Sequence, residues 1–421
     1  MSPRDRRLYA FFVATYLAEG LIGVAYEPIY FLQKDVLRLT PSQSAAFTLV
    51  MTLPFLVKPL LGLLTDAVPL LRRRRLPYIV LAAGAASAGW AALALLGEYR
   101  YAPTLFLLTA VNVGIAFADT LCDGVMVECG RPTDQTGRFQ AVQIGTLYAS
   151  LLAAGLGGGW LAEHASYKAV FGLTALFPLL ILLSALGLRE DPAPAPAEQA
   201  RKTWASLSGL VGSRAFWACC ALIFLFSFNP FLGTPMFYFQ SGPLAFSKMT
   251  IGALTSVSGL FGVLGAAVFG RFHNTDGAFF GRSARLDTPT LVRASLLAGA
   301  AVALAHLFYR GIVSAYLLTA LYGTLGVFMR LALMDLVARM SPEHGEATAF
   351  ALFMAVFNLA ALASNTFGGW VYEHAAAGAG ASSAMNLLVV TGALCTGAAW
   401  AFLRWIPEAG LRPALRAGEA V

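Results

Sequence analysis

Along its whole length the chain alternates long apolar runs with short polar ones. Apolar segments fall near residues 8–33, 43–64, 76–97, 103–127, 139–161 and 169–188, then near 214–240, 249–270, 291–309, 312–334, 347–372 and 385–406. Most match the roughly 20 residues an α-helix needs to cross the hydrocarbon core of a bilayer. Inside that core every backbone N–H and C=O must be paired within the protein, which a helix does unaided. The pattern therefore predicts an all-α integral membrane protein of twelve transmembrane helices. The longest polar interruption, Arg189-Glu-Asp-Pro-Ala-Pro-Ala-Pro-Ala-Glu-Gln-Ala-Arg-Lys202, has the proline content of a semi-rigid linker. It divides the chain into a six-helix bundle over 1–188, a linker over 189–213 and a second six-helix bundle over 214–421.

A repeat strengthens this division. Gly158-Gly-Trp-Leu-Ala-Glu-His-Ala165 recurs as Gly368-Gly-Trp-Val-Tyr-Glu-His-Ala375, pairing the fifth span with the eleventh, and Arg131 and Gly137 align with Arg339 and Gly345. Parallel six-helix repeats across a central linker are the build of the major facilitator architecture, which holds its substrate near mid-membrane between the halves.

Composition agrees. Of 421 residues 58% are hydrophobic and 12% charged, and mean hydropathy is +0.69. Soluble enzymes and disordered chains are nearer one quarter charged or more, so they are excluded. The net charge of +7 raises the question of nucleic acid, but no basic tract with interleaved exposed aromatics is present, so no nucleic-acid partner is expected. Topology explains the charge better. With twelve spans, 21 lysines and arginines lie on the side of the termini and linker and six on the other, which makes that side cytoplasmic. The basic start, Met1 to Arg7, leads into an apolar stretch too long for a signal peptide, so it is read as a retained first span. The five cysteines lack CxxC spacing, and neither a disulfide framework, a metal site nor a bound cofactor is expected.

Ionisable groups within a bilayer are costly, so each is a candidate for function. The first span carries Glu19, with Glu27 two turns on. The fourth places Asn112, Ala116, Asp119 and Asp123 on one stripe, and the tenth does the same with Thr319, Gly323, Gly326 and Arg330. Lys58 lies within span 2, poised to bridge to an acid of span 4 or to contact substrate, and Asn358 and Asn365 lie in span 11. Burial favours a neutral acid and a neighbouring cation favours the carboxylate, so such groups can exchange protons as access alternates while a cation holds an anionic solute. Glycines 155, 157, 158 and 159 imitate a phosphate loop, but in an apolar span they predict close helix packing. Asn229-Pro230 and Gly233 to Pro235 predict a break in span 7, and Phe237-Tyr238-Phe239 an aromatic group that either lies at the outer interface or stacks on a planar substrate.

The stretch Gly62-Leu-Leu-Thr-Asp66 to Arg72-Arg-Arg-Arg75 resembles the cytoplasmic loop signature of major facilitator proteins, which implies a gating role for Asp66 and Arg75. More widely, Leu53-Pro-Phe-Leu-Val-Lys58-Pro, Arg75-Leu-Pro-Tyr78, Asp119-Thr-Leu-Cys-Asp123-Gly-Val-Met-Val-Glu128-Cys-Gly-Arg131, Gly137-Arg-Phe-Gln140, Met236-Phe-Tyr-Phe239 and Ser341-Pro-Glu-His-Gly-Glu346 onward to Asn358 occur in that order. Together they resemble the folate–biopterin transporter family. The resemblance implies a secondary transporter of folates or pterins, proton-coupled and without cofactor. The matched positions are Lys58, Asp66, Asp119, Asp123, Glu128, Arg131, Gln140, Glu346 and Asn358. Glu19, Glu27, Lys58, Asp119, Asp123, Gln140, Arg330 and Asn358 are expected to serve substrate or protons. Asp66, Arg75, Glu128, Arg131 and Glu346 are expected to gate. The expected setting is a monomer in the cytoplasmic membrane, with a small-molecule substrate, protons and lipid as its partners. Two alternatives stand beside this reading: a permease or exporter of another solute, such as a cell-wall sugar or an amphipathic compound, and a membrane-embedded enzyme. The short loops and the lack of a nucleophile–base set weigh against the enzyme.

Overall fold

The computed structural model describes residues 3–68, 70–73, 75–130, 136–188, 208–273, 288–340 and 346–406. Most of the linker and Arg131 lie outside these residues, as do the side chains of Asp66, Glu128, Gln140 and Glu346. Among the described residues ten helices are long and apolar enough to cross a membrane. They are Arg6–Val36, Pro41–Gly62, Leu76–Leu95, Tyr101–Met126, Val142–His164 and Tyr167–Ala185 (spans 1–6), Lys248–Phe269 (span 8), Ile312–Met334 (span 10), Ala351–Ala379 (span 11) and Ala381–Trp405 (span 12). Two shorter apolar helices occupy the seventh and ninth places, Arg214–Ser227 and Val292–Phe308.

Span 7 is short because it is broken, as its sequence predicts. Its helix stops at Ser227 and resumes at Thr234–Ser241. Pro230 has no N–H to continue the ladder, and Gly233 takes φ +68°, a conformation side chains disfavour. Asn365 of span 11 repairs the new helix start, its Oδ1 accepting from Thr234 N at 2.8 Å.

Each half packs around two apolar clusters that follow one another along its helices. In spans 1–6 the first, toward the chain start, gathers Phe11, Phe12, Ile79, Leu121 and Phe139, and the second gathers Ile22, Leu32, Phe47, Trp90 and Leu108. Spans 7–12 repeat this, with Phe216, Leu333 and Phe353 in one cluster and Phe231, Leu318 and Leu388 in the other. Outward-facing leucines and aromatics such as Leu81, Phe106, Leu183, Leu297, Leu317 and Leu394 are exposed. In water such a surface would aggregate, and in lipid it is solvated. The sequence repeat is also structural, for His164 stacks on Trp160 and His374 packs on Trp370 at the corresponding helix ends.

The halves meet where span 5 packs on span 8 and span 2 on span 11. The glycines allow the approach by pointing two ways. Gly158 faces Glu27 and Val24 of span 1, whereas Gly155 and Gly159 lie against Gly252 of span 8. Ser256 ties the crossing, donating to Leu152 O at 2.7 Å and accepting from Leu156 N at 2.7 Å.

Candidate functional site

Where the two apolar clusters of the first half adjoin, the core turns polar. Glu19 follows Ala18 of one cluster and precedes Ile22 of the other, and Asp119 sits likewise between Ala118 and Leu121 of one and Ile115 of the other. Lys58 of span 2 reaches this level because the helix is interrupted at Leu53–Phe55 and restarts at Lys58, with Pro59 in its first turn. The ammonium forms an ion pair with Asp119 Oδ2 and lies 5.0 Å from the centre of the Phe55 ring. Asp123, one turn on, accepts from the Tyr16 hydroxyl at 2.9 Å. Glu19 lies within electrostatic reach of Lys58, Asp119 and Asp123, and its buried Oε1 has no hydrogen-bond partner among the described residues. Three acidic side chains thus gather around one lysine, of which Asp119 alone is ion-paired with it among the described residues.

Arg75 closes the same half nearer the chain start. It is buried, donates from Nη1 to Thr65 Oγ1 at 2.8 Å, and its guanidinium packs where Gly124 leaves room on span 4.

In the second half Arg330 stands in span 10 with an exposed side chain, its Cζ 5.9 Å from the centre of the Phe357 ring. Tyr148 of span 5 and Tyr322 of span 10 are within its electrostatic reach. Asn358, next to Phe357, turns to the first half and donates to Phe55 O at 3.1 Å. Residues 55, 357 and 358 therefore connect the lysine cluster with the arginine.

Glu27 does not join the Glu19 group. It is only 6% exposed at the boundary between halves, accepts from Thr255 of span 8 at 2.7 Å through Oε1, and leaves Oε2 without a partner among the described residues. Beyond it, the face opposite the chain ends is sealed. Phe237 stacks on Tyr30 at 5.0 Å and meets Phe31 edge-on, so the aromatic run expected at the membrane surface forms a plug between the halves instead. Its alternate positions look apolar from sequence, and only the helix pairing shows which neighbour they meet. Around the plug, charges sit on helix ends. Lys34 donates to Ser241 O at 2.9 Å and Lys248 to Ala162 O at 3.1 Å, near the last carbonyls of spans 7 and 5. Glu373 accepts from Ser42 N at 2.8 Å, in the first turn of span 2, and Tyr238 donates to Leu39 O at 2.5 Å.

Sequence reasoning did not select Tyr16, Tyr148, Tyr322, Thr255 or Glu373. Tyr16 had a signal, three residues ahead of Glu19 and so on the same helix face. The others are recognised only across helix–helix contacts.

Residues 17–415 match the BT1 family. The chain is 28% identical to the folate-biopterin transporter of Synechocystis sp. over 84% of its own length and 72% of that protein, and 27% identical to folate transporter 2 of Plasmodium falciparum over 60% of its length and 56% of that protein. It thus spans a little over half of the Plasmodium relative. The crystal structure of a D-xylose-proton symporter superposes with a TM-score of 0.69 at 14% identity, covering 96% of this chain and 97% of that one, which shows the major facilitator fold.

Proposed function

The chain belongs to the BT1 family and is a membrane transporter, and we propose that it carries folates, pterins or a closely related flat solute by proton-coupled alternating access. The observation that carries this reading is the buried Lys58–Asp119 pair, flanked by Glu19 and Asp123 at the level where the apolar core divides. Protonation of Asp119 releases Lys58 to a substrate anion, and the departing substrate returns Lys58 to its carboxylate, with Glu19 as a neighbouring acid through which the proton passes. Substrate and proton so bind together and leave together at a fixed point while the halves, 1–188 and 214–421, rock about it on the linker 189–213. Asp123 with Tyr16 extends the proton path toward the chain-terminal face, with Gln140 and Asn358 serving substrate or protons; Asp66, Arg75, Glu128, Arg131 and Glu346 are the residues proposed to gate.

The excess of lysine and arginine on the side of the termini supports a cytoplasmic location for both ends in the cytoplasmic membrane. The seal on the opposite face then supports an inward-facing state. Because both halves belong to one chain, a monomer suffices.

The test is uptake of labelled folate and biopterin into proteoliposomes, with and without an inward proton gradient. Gradient-stimulated uptake that disappears in a folded Asp119→Asn variant is the expected result. Absence of uptake of either compound by folded wild-type protein refutes the substrate assignment, and uptake indifferent to the gradient refutes the coupling.

A further inference from the structure

Spans 2 and 7 are both broken, and an asparagine of span 11 answers each break. In span 2 the turn bonds run from Leu56 N to Leu53 O and from Val57 N to Pro54 O, then resume from Leu60 N to Val57 O. Phe55 O is passed over, because the donor a helix would bring to it, four residues on, is the nitrogen of Pro59. Asn358 supplies the missing donor from the other half, its Nδ2 giving to Phe55 O at 3.1 Å. In span 7 the orphan is a donor, Thr234 N, and Asn365 Oδ1 accepts from it at 2.8 Å. Both asparagines belong to the helix Glu346–Ala379, two turns and about 10 Å apart on one face.

Each break carries a part of the transport machinery. The Phe55 ring lies 5.0 Å from the Lys58 ammonium, and Lys58 begins the restarted helix Lys58–Ala67. Thr234 begins the helix Thr234–Ser241, which bears Phe237, the centre of the outer plug. Span 11 is therefore a continuous helix with the lysine pair at one asparagine and the plug at the other. Farther along it, Glu373 accepts from Ser42 N and Gly369 lies against Ala45, which keeps span 11 in register on span 2.

We propose that Asn358 and Asn365 are positioning residues that tie the Lys58–Asp119 pair to closure of the outer face. When Lys58 leaves Asp119, its stem and the Phe55 ring beside it shift, and the Phe55 carbonyl is drawn away from Asn358. Span 11 is then free to move, Thr234 N loses its acceptor, and the plug loosens. The linkage is reciprocal, so opening the plug weakens the pair. This rests on the Lys58–Asp119 pair being the transport site and adds how its state reaches the gate. Asn358 serves substrate and protons through Lys58, by holding the carbonyl next to it.

The experiment measures how fast a membrane-impermeant maleimide labels a Phe237→Cys reporter in full-length protein in proteoliposomes, with Asp119 intact and with Asp119→Asn. Freeing Lys58 is expected to raise the rate roughly two- to tenfold, the size of one net hydrogen bond. With Asn358→Leu or Asn365→Ala added, labelling is fast whichever residue stands at 119, and the ratio falls to about one. An asparagine with a merely structural role would raise both rates and keep the ratio. Pro59→Ala separates the two effects, because an alanine N–H serves Phe55 O from within span 2. Combined with Asn358→Leu it restores the unfolding midpoint but not the ratio, and it leaves no orphan carbonyl to unfold the protein. An Asp119→Asn reporter labelled no faster than its parent, or a ratio that survives both asparagine replacements, overturns the link. Labelling uses neither solute nor gradient, so absent uptake with an intact link refutes the transport reading alone.

Discussion

Replacing Lys58 and replacing Asp119 break the same ion pair but should not cost the same. In Lys58→Met the cluster keeps Glu19, Asp119 and Asp123 and loses the cation they share. Removing one partner of a buried pair costs about 3–5 kcal/mol, and the side chains here, 22% and 12% exposed, are close to that limit. In Asp119→Asn the lysine keeps Glu19 and Asp123 within reach, and their repulsion from Asp119 disappears. At an effective dielectric of about 20 a contact pair is worth about 4 kcal/mol and a repulsion at longer range less. Asp119→Asn should therefore cost less than Lys58→Met, because the lost attraction is partly offset by the repulsions from Glu19 and Asp123 that go with it. The assay is thermal unfolding of each purified variant in one detergent across pH 5–8. Lys58→Met should be the less stable and should recover as pH falls, because each proton bound removes an uncompensated negative charge. Equal destabilisation, the reverse order, or a Lys58→Met variant indifferent to pH would falsify the shared-lysine arrangement.

Other consequences concern the sealed face. Glu373→Gln removes a charge from the first turn of span 2, worth about 0.3–1 kcal/mol; labelling of a Phe237→Cys reporter by a membrane-impermeant maleimide should rise about two- to fivefold, and unchanged labelling would deny the contact a role in closure. Gly252→Val puts a side chain where a Cβ already meets Gly159 Cα at 2.6 Å, an overpacking of about 1–3 kcal/mol; the same reporter should become labelled and transport should fall while each half remains folded. Asn365→Ala leaves Thr234 N without its acceptor and should lower stability by about 1 kcal/mol, read as a lower unfolding midpoint, whereas an unchanged midpoint would mean the break in span 7 is held by packing alone.

The length of the apolar runs alone located the spans, because about 20 such residues cross a bilayer as a helix that pairs every backbone group within its own segment. It also marked the break in span 7, since Pro230 and Gly233 act on the backbone locally. Rarity made the membrane-embedded charges conspicuous: Glu19, Lys58, Asp119, Asp123 and Arg330 stand out in any apolar run. What sequence could not supply is which of them meet. Glu19 and Glu27 sit two turns apart on one span, yet one faces Lys58 and the other faces Thr255 of the opposite half. That division depends on where span 5 crosses span 8, a matter of glycine contacts some 100 residues apart in the chain. The same crossing turned Phe237 from an interface residue into the plug, and brought Tyr148 to Arg330. Composition and periodicity fix what must be buried in lipid, but the packing of helices against one another decides which buried groups become partners.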